Sequence, residues 1–259
     1  MSQSSSLISE AQRLAKMILT SKKVVALTGA GISTESGIPD FRGPSGLWKQ
    51  VDPSLATIQS FRLFPEAFWY FMIKTANLIL KAKPNRAHYA LAELERLGKL
   101  SCVITQNVDG LHSKAGSKSV VELHGNMREA VCLSCGTVIP LKEALKKAKR
   151  SCLRPYCKKC GGPIKLNVVL FNEPLPQEAL ERAISESRSC DLMLVVGSSL
   201  QVYPAASLPE YAKLRGAKVV IINEEPTPFD DNADVVIRAK AGEVLPAVVN
   251  LVKRALSSF

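Results

Sequence analysis

The amino-acid sequence predicts an α/β fold, a doubly wound parallel sheet interrupted by a cysteine-bearing module. Three observations carry this. Short apolar runs alternate with amphipathic stripes, the β-then-α order of a parallel sheet with crossover helices. The runs, such as 24–28 and 192–196, are apolar at successive positions, as strands covered on both faces must be. Between Asn126 and Asn167 the alternation stops, and two Cys-x-x-Cys pairs stand there instead.

The elements follow in order. Residues 7–20 place apolar side chains at 7, 8, 11, 14, 15, 17, 18 and 19, a helical stripe with Ser6 and Ser9 as candidate caps. Lys22 and Lys23 end it, and a strand over 24–28 runs into Gly29, Ala30, Gly31, Ile32 and Ser33. Residues 43–60 read as loop, with Pro44, Gly46 and Pro53. An aromatic-rich helix (Phe68, Trp69, Tyr70, Phe71) fills 65–83 and is broken by Pro84 and Asn85. A helix over 86–97 ends at Gly98. Further strands are predicted at 102–105, 120–123, 192–196, 218–222 and 234–237, and helices at 141–150, 177–188, 205–214 and 242–254.

Most of the predicted strands end in glycine or polar residues: Gly29 and Gly31, Gln106 to Asp109, His124, Gly197 with Ser198 and Ser199, and Asn223. In open α/β sheets the ligand crevice lies beyond the carboxyl ends of the strands, so these groups converge on one edge. Glycines after the first strand let the backbone approach a phosphate, and free amides at the following helix start can hold its charge. Thr34 stands where the dinucleotide fingerprint has a third glycine, so spacing alone leaves a ligand-free turn as an equal alternative. Asp40, Phe41 and Arg42, between Pro39 and Gly43, put an acid, a ring and a base in one loop, which reads as a site.

The two cysteine pairs, Cys132 with Cys135 and Cys157 with Cys160, are 21 residues apart. Four thiolates at that spacing suit a tetrahedral zinc ion and leave no open position, so the predicted site is structural. Gly136, Gly161 and Gly162 permit the tight turns. Cys102, Cys152 and Cys190 are read as non-ligands.

Composition sets the remaining bounds. The chain has 259 residues, 46% hydrophobic and 22% charged, as in soluble globular proteins. No apolar run approaches the ~20 residues of a membrane span. The polar start, Met1 to Ser6, lacks the order of a signal peptide, so a cytoplasmic protein without membrane contact is expected. The net charge is +11, and between Lys142 and Lys165 nine basic residues face one acid, Glu143. That segment is either a solvated surface or a docking face for nucleic acid or an acidic protein.

Three histidines are candidates for proton transfer. His88 and His112 read as structural residues of helices. His124 ends a strand at the ligand edge, where an imidazole titrating near neutral pH can serve as general base.

These strings together resemble the sirtuins, the NAD-dependent protein-lysine deacylases. The resemblance runs from about Lys22 to Pro246 and rests on 28–33, 37–43, 105–109, 123–125, the cysteine pairs, 197–200 and 202–204. It implies a Rossmann-like large domain of residues 1–42, 84–125 and 168–259. A smaller lobe would combine the helical insertion 43–83 with the zinc-ribbon module 126–167.

The resemblance also implies roles. Gly29, Ala30, Gly31 and Ser33 would face the NAD pyrophosphate and ribose, with Asp40, Phe41 and Arg42 in the flexible cofactor loop. Gln106, Asn107, Val108 and Asp109 would line the nicotinamide-ribose end, Asn107 within the catalytic pair and Asp109 reading the carboxamide. Gly197, Ser198 and Ser199 would hold the adenosine side, Asn223 its ribose and Ala241 the adenine. His124 would be the general base. The implied chemistry is attack of the acyl-lysine carbonyl on the ribose as nicotinamide leaves, then passage of the acyl group to ADP-ribose. An acyl-lysine peptide would pair, strand-like, with Val168, Val169 and Phe171 on one side and Val202 on the other. Asn172 stands where the family has glycine, and asparagine tolerates the left-handed conformation. Met72 and Thr75 align where relatives acting on acidic acyl groups carry a tyrosine and an arginine, so acetyl or apolar groups are expected. Mono-ADP-ribosyl transfer, and an NAD-binding basic zinc protein acting on nucleic acid, are the alternatives.

Overall fold

The computed structural model describes residues 3–40, 43, 46 and 52–258. Phe41 and Arg42 lie outside the described residues, as does the side chain of Thr75. Helix α1 (Gln3–Thr20) precedes strand β1 (Val24–Thr28), which turns into a 3-10 segment, Ala30–Ser36, rather than an α-helix. Next come α2 (Ile58–Leu63), α3 (Pro65–Lys81), α4 (Arg86–Arg96), β2 (Cys102–Thr105), α5 (Leu111–Ala115) and β3 (Val120–Glu122). The cysteine module holds β4 (Gly125–Cys132), β5 (Val138–Pro140), α6 (Leu141–Arg150) and β6 (Ile164–Val168). The chain closes with α7 (Gln177–Ser189), β7 (Leu192–Val196), α8 (Leu208–Lys213), β8 (Lys218–Ile222), β9 (Val235–Ile237) and α9 (Ala241–Leu256).

Six strands form one parallel sheet in the order β3-β2-β1-β7-β8-β9. The crossovers run one way from β1 and the other way from β7, which is the doubly wound Rossmann-like order. The switch point falls between β1 and β7, and in open α/β sheets ligands bind at the carboxyl edge beside it. Every residue of β1, β2 and β7 is buried. One apolar core lies between the sheet and α1, α4 and α9; a second lies on the other face, under α7 and α8.

A second sheet is antiparallel, in the order β5-β4-β6, with a register shift between Gly125 and Ala130. Its apolar face shares a third core with the helical insertion: Phe61, Phe68 and Trp69 pack with Met127, Ala130, Ile164 and Leu166. Trp69 Nε1 donates to the Ile164 carbonyl at 3.0 Å, and Arg154 pairs with Glu66 at 3.0 Å.

Several local expectations are corrected. This antiparallel sheet was not foreseen. The predicted loop over 43–60 contains a 3-10 turn, Pro53–Ala56, and the start of α2. Asp52 and Thr57 cap these turns through their side chains, a cue that the prolines and glycine masked. Lys165 belongs not to a charged surface but to the interior, 2% exposed and bonded to Glu173 at 3.0 Å.

Candidate active site

The candidate site is built where β1 and β7 end side by side. Gly31 N–H donates to the Gly197 carbonyl at 2.8 Å, and Gly29 N–H to the Val196 carbonyl at 3.1 Å. A Cβ on Gly31 would stand 2.8 Å from Gly197 Cα, and one on Gly197, at φ +59°, 2.2 Å from the Ile32 nitrogen. Only glycine allows two turns to touch there. The missing third glycine is thus no obstacle, because the close approach is made between turns and not between helix and strand.

β2 ends in the turn that joins the same edge. Gln106 N–H donates to the Thr28 carbonyl at 3.0 Å, and its side-chain amide to Ser198 Oγ at 2.9 Å. Asn107 is buried, and its amide donates to the Gly29 carbonyl at 3.0 Å and to Ser33 Oγ at 3.1 Å. The Ser33 hydroxyl in turn donates to Asp109 Oδ2 at 2.7 Å. Asp109 Oδ1 accepts from the Leu111 N–H at 2.8 Å. Burial pushes the Asp109 carboxyl up from its ordinary value, while these two bonds oppose the shift. Ser33, Gln106, Asn107, Asp109, Gly29, Gly31, Gly197 and Ser198 therefore form one bonded floor.

His88 and His112 stand beneath it, structural as expected but coupled to the site. His112 Nε2 lies 2.9 Å from Thr28 Oγ1, and His88 Nε2 lies 3.5 Å from Ser33 Oγ. The two rings are 4.8 Å apart. Burial lowers the His88 pKa to about 4 and that of His112 to about 3, so both are neutral. The sequence gives no periodic signal for this layer; it follows only from the fold.

His124 occupies the handover from β3 to β4. Its Nδ1 lies 2.8 Å from the Gln106 carbonyl. A carbonyl only accepts, so Nδ1 carries the proton and Nε2 keeps its lone pair. Burial lowers the pKa of the ring, and the carbonyl bond partly opposes this. A neutral imidazole with a fixed tautomer is equipped to accept a proton.

The segment after β6 runs alongside. Val169 N–H donates to the His124 carbonyl at 2.9 Å, and Phe171 pairs in a parallel bridge with Thr57. Asn172 adopts φ +65°, the left-handed conformation that asparagine tolerates. Lys165, which sequence reading had placed on the surface, holds this segment: its Nζ donates to the Val168 carbonyl and to Glu173, whose Oε2 also accepts from the Leu170 N–H at 2.9 Å. Val202 is half-buried beyond β7.

The remaining candidates sit at the margins. Val108 packs against the third core, and its carbonyl accepts from the Met127 N–H at 3.0 Å. Asn223, after β8, donates to the Glu225 carbonyl at 2.7 Å. Ala241 begins α9, whose next amide, Gly242 N–H, is bonded at 2.9 Å by Glu35 from the 3-10 segment. Ala30 and Ser199 are half-buried. Asp40 accepts from the Gly43 N–H at 3.0 Å.

The four predicted zinc ligands meet. The Sγ atoms of Cys132, Cys135, Cys157 and Cys160 lie within 4.8 Å of one another, with Cys132 to Cys160 at 3.5 Å and Cys135 to Cys157 at 3.8 Å. Zn–S bonds of ~2.3 Å in a tetrahedron require sulfurs ~3.8 Å apart. Amides point at the thiolates: Lys159 N–H to Cys157 Sγ and Gly162 N–H to Cys160 Sγ, both at 3.4 Å. The donor set fits zinc. Cys102, Cys152 and Cys190 stand outside it, and no disulfide forms among the described cysteines.

Comparison with known proteins agrees with the geometry. Residues 29–204 match the model of the Sir2 family. An NAD-dependent protein deacetylase of Sulfolobus acidocaldarius is 50% identical over 94% of this chain and 96% of its own length. An NAD-dependent protein deacylase of Archaeoglobus fulgidus is 51% identical over 95% and 97%. A solved Sir2 variant bound to a deacetylated p53 peptide and 3′-O-acetyl ADP-ribose superposes with a TM-score of 0.89 at 44% identity, covering 92% of this chain and 97% of that one.

Proposed function

The chain belongs to the Sir2 family, and from that premise we propose how its residues divide the family's work. It is an NAD-dependent protein-lysine deacylase: the acyl group passes from lysine to ADP-ribose, nicotinamide is released, and NAD is consumed as a substrate. Its protein partners are acyl-lysine polypeptides. No described helix is long and apolar enough to cross a membrane. We take its compartment to be the cytoplasm, where the zinc thiols stay reduced.

His124 is the general base. The observation that carries this is the 2.8 Å bond from Nδ1 to the Gln106 carbonyl, which leaves Nε2 free to take a ribose proton. Gly29, Ala30, Gly31 and Ser33, with the Asp40 loop, hold the pyrophosphate side. Gln106, Asn107, Val108 and Asp109 hold the nicotinamide end, where the buried Asn107–Ser33–Asp109 chain orients the polar groups. Gly197, Ser198, Ser199, Asn223 and Ala241 hold the adenosine. Val168, Val169, Phe171 and Val202 flank the peptide. Residues 1–42, 84–125 and 168–259 are read as the large domain, and 43–83 with 126–167 as the small lobe; the shared core around Trp69 supports the pairing. The four cysteines hold one structural zinc ion, which supplies cross-linking rather than chemistry.

The deciding experiment is mass spectrometry of NAD and an acetyl-lysine peptide with wild type and His124→Ala. Wild type yields acetylated ADP-ribose, and the variant loses about 10²–10⁴-fold in rate. NAD label remaining on protein without acyl product would redirect the reading to ADP-ribosyl transfer. For the acyl group, Met72 is buried beside the apolar small-lobe core and offers no cation to a carboxylate. Acetyl- and propionyl-lysine peptides are expected to turn over faster than succinyl-lysine; the reverse order in a peptide panel refutes the assignment.

A further inference from the structure

Most cations of the cysteine module are already engaged. Lys165 is buried on Glu173, Arg154 pairs with Glu66, Arg128 with Glu122, and Lys147 with Glu143 at 3.7 Å. Lys158 and Lys159 lie inside the Cys157–Cys160 turn, beside four thiolates that leave a zinc site with a formal charge of about −2. Four cations remain: Lys142, Lys146, Lys149 and Arg150, all exposed and without an anionic partner among the described residues. At 100° per residue they fall within about 100° of arc on α6 and along about 12 Å of its length. The opposite side, Leu141, Ala144 and Ala148, is buried in the third core. The helix is anchored by its apolar side and presents a single-sign face.

We propose that this face of α6 binds duplex nucleic acid through its phosphates, apart from the catalytic cleft. Charge density selects the partner. A duplex carries a negative charge about every 1.7 Å of axis, so a 12 Å stripe meets phosphates wherever it lands. An extended acidic peptide rises about 3.3 Å per residue and sends alternate side chains away, so it meets the stripe only if its own acids are regularly placed. Three of the four cations are lysines, point charges that suit backbone contact without reading bases. An enzyme held in this way would meet protein substrates on the same duplex at raised effective concentration.

The test uses the zinc-loaded full chain and a fluorescent 20-base-pair duplex, with anisotropy read from 50 to 200 mM KCl. Four phosphate contacts give a slope of log K against log salt of about −3.6, roughly a hundredfold loss across that range. Replacing Lys142, Lys146, Lys149 and Arg150 together by Gln, which keeps helix propensity, is expected to flatten the slope. Deacylation of a free acetyl peptide stays unchanged, which also shows that the variant is folded. The single change Lys146→Gln lowers the slope by about one. A control removes the same charge elsewhere, at the exposed Lys22, Arg215, Lys218 and Arg254, and retains the slope. Equal losses in both quadruple variants overturn the proposal, since binding would then follow net charge alone. So does a chain that ignores duplex at 50 mM salt but binds a polyglutamate peptide.

Discussion

In the parallel sheet, β1 and β7 are buried along their whole length between two apolar cores. In the antiparallel sheet, β5 has no buried residue, and β4 ends at a cysteine of the four-sulfur cluster. The first sheet is held by area removed from water on both faces, the second by one smaller core together with a few point attachments: four thiolates, the Trp69 indole and the buried Lys165. A ligand floor on the first can be densely bonded and stiff. A loop on the second depends on each attachment separately, and the difference is open to experiment.

Zinc removal separates the two most strongly. Structural zinc in such modules is worth about 10 kcal/mol or more of folding free energy. Chelation, or Cys135→Ser, is expected to release one zinc per chain, unfold the small lobe and abolish deacylation. The fluorescence of Trp69, in a Trp48→Phe background, follows the lobe, while hydrogen exchange at the amides of β1 and β7 stays slow. If those amides lose protection together with the Trp69 signal, the two regions are one cooperative unit and the contrast fails.

Lys165→Met tests the attachment nearest the substrate. It leaves Glu173 and the Val168 carbonyl without their cation in a mostly buried setting, a change that can cost several kcal/mol locally. The KM for acetyl peptide is expected to rise about tenfold, with kcat and the KM for NAD little changed and Lys165→Arg restoring most of the loss. An equal fall in kcat alone would place Lys165 in the chemistry instead.

Acid acts on the stiff sheet. His88 and His112 have pKa values of about 4 and about 3 in the folded protein, below the ordinary 6.5. The unfolded chain therefore binds more protons between pH 6.5 and about 4, and stability falls as the pH drops through that window. The loss is on the order of a few kcal/mol. It is read as faster exchange of the β1 amides at pH 5 than at pH 7, after correction for intrinsic rates, and is reduced in His112→Gln.

The parallel sheet and its ends were legible in the sequence because buried strands write themselves as apolar runs, and polar residues at their ends have one place to go. The four cysteines were legible because chemistry fixes their spacing. β4 and β6 were not: polar residues interrupt their apolar ones, and their pairing, Val131 with Lys165 for example, joins positions far apart in the chain. For the same reason Lys165 counted toward a basic surface until the fold turned it inward. His88 and His112 were recognisable as structural residues, but not as the layer under Ser33 and Thr28. Most residues of the candidate site, by contrast, sit at the strand ends that first suggested them.

His124 stands between the two sheets. The residue before it, Leu123, donates its N–H to the Thr105 carbonyl of the parallel sheet at 3.0 Å, while the His124 carbonyl accepts from Val169 in the segment beyond the antiparallel one. In the proposed roles its ring serves the ribose and its backbone steadies the strand that grips the acyl-lysine. The separation between base and acyl donor is then gauged by the covalent span of a single residue.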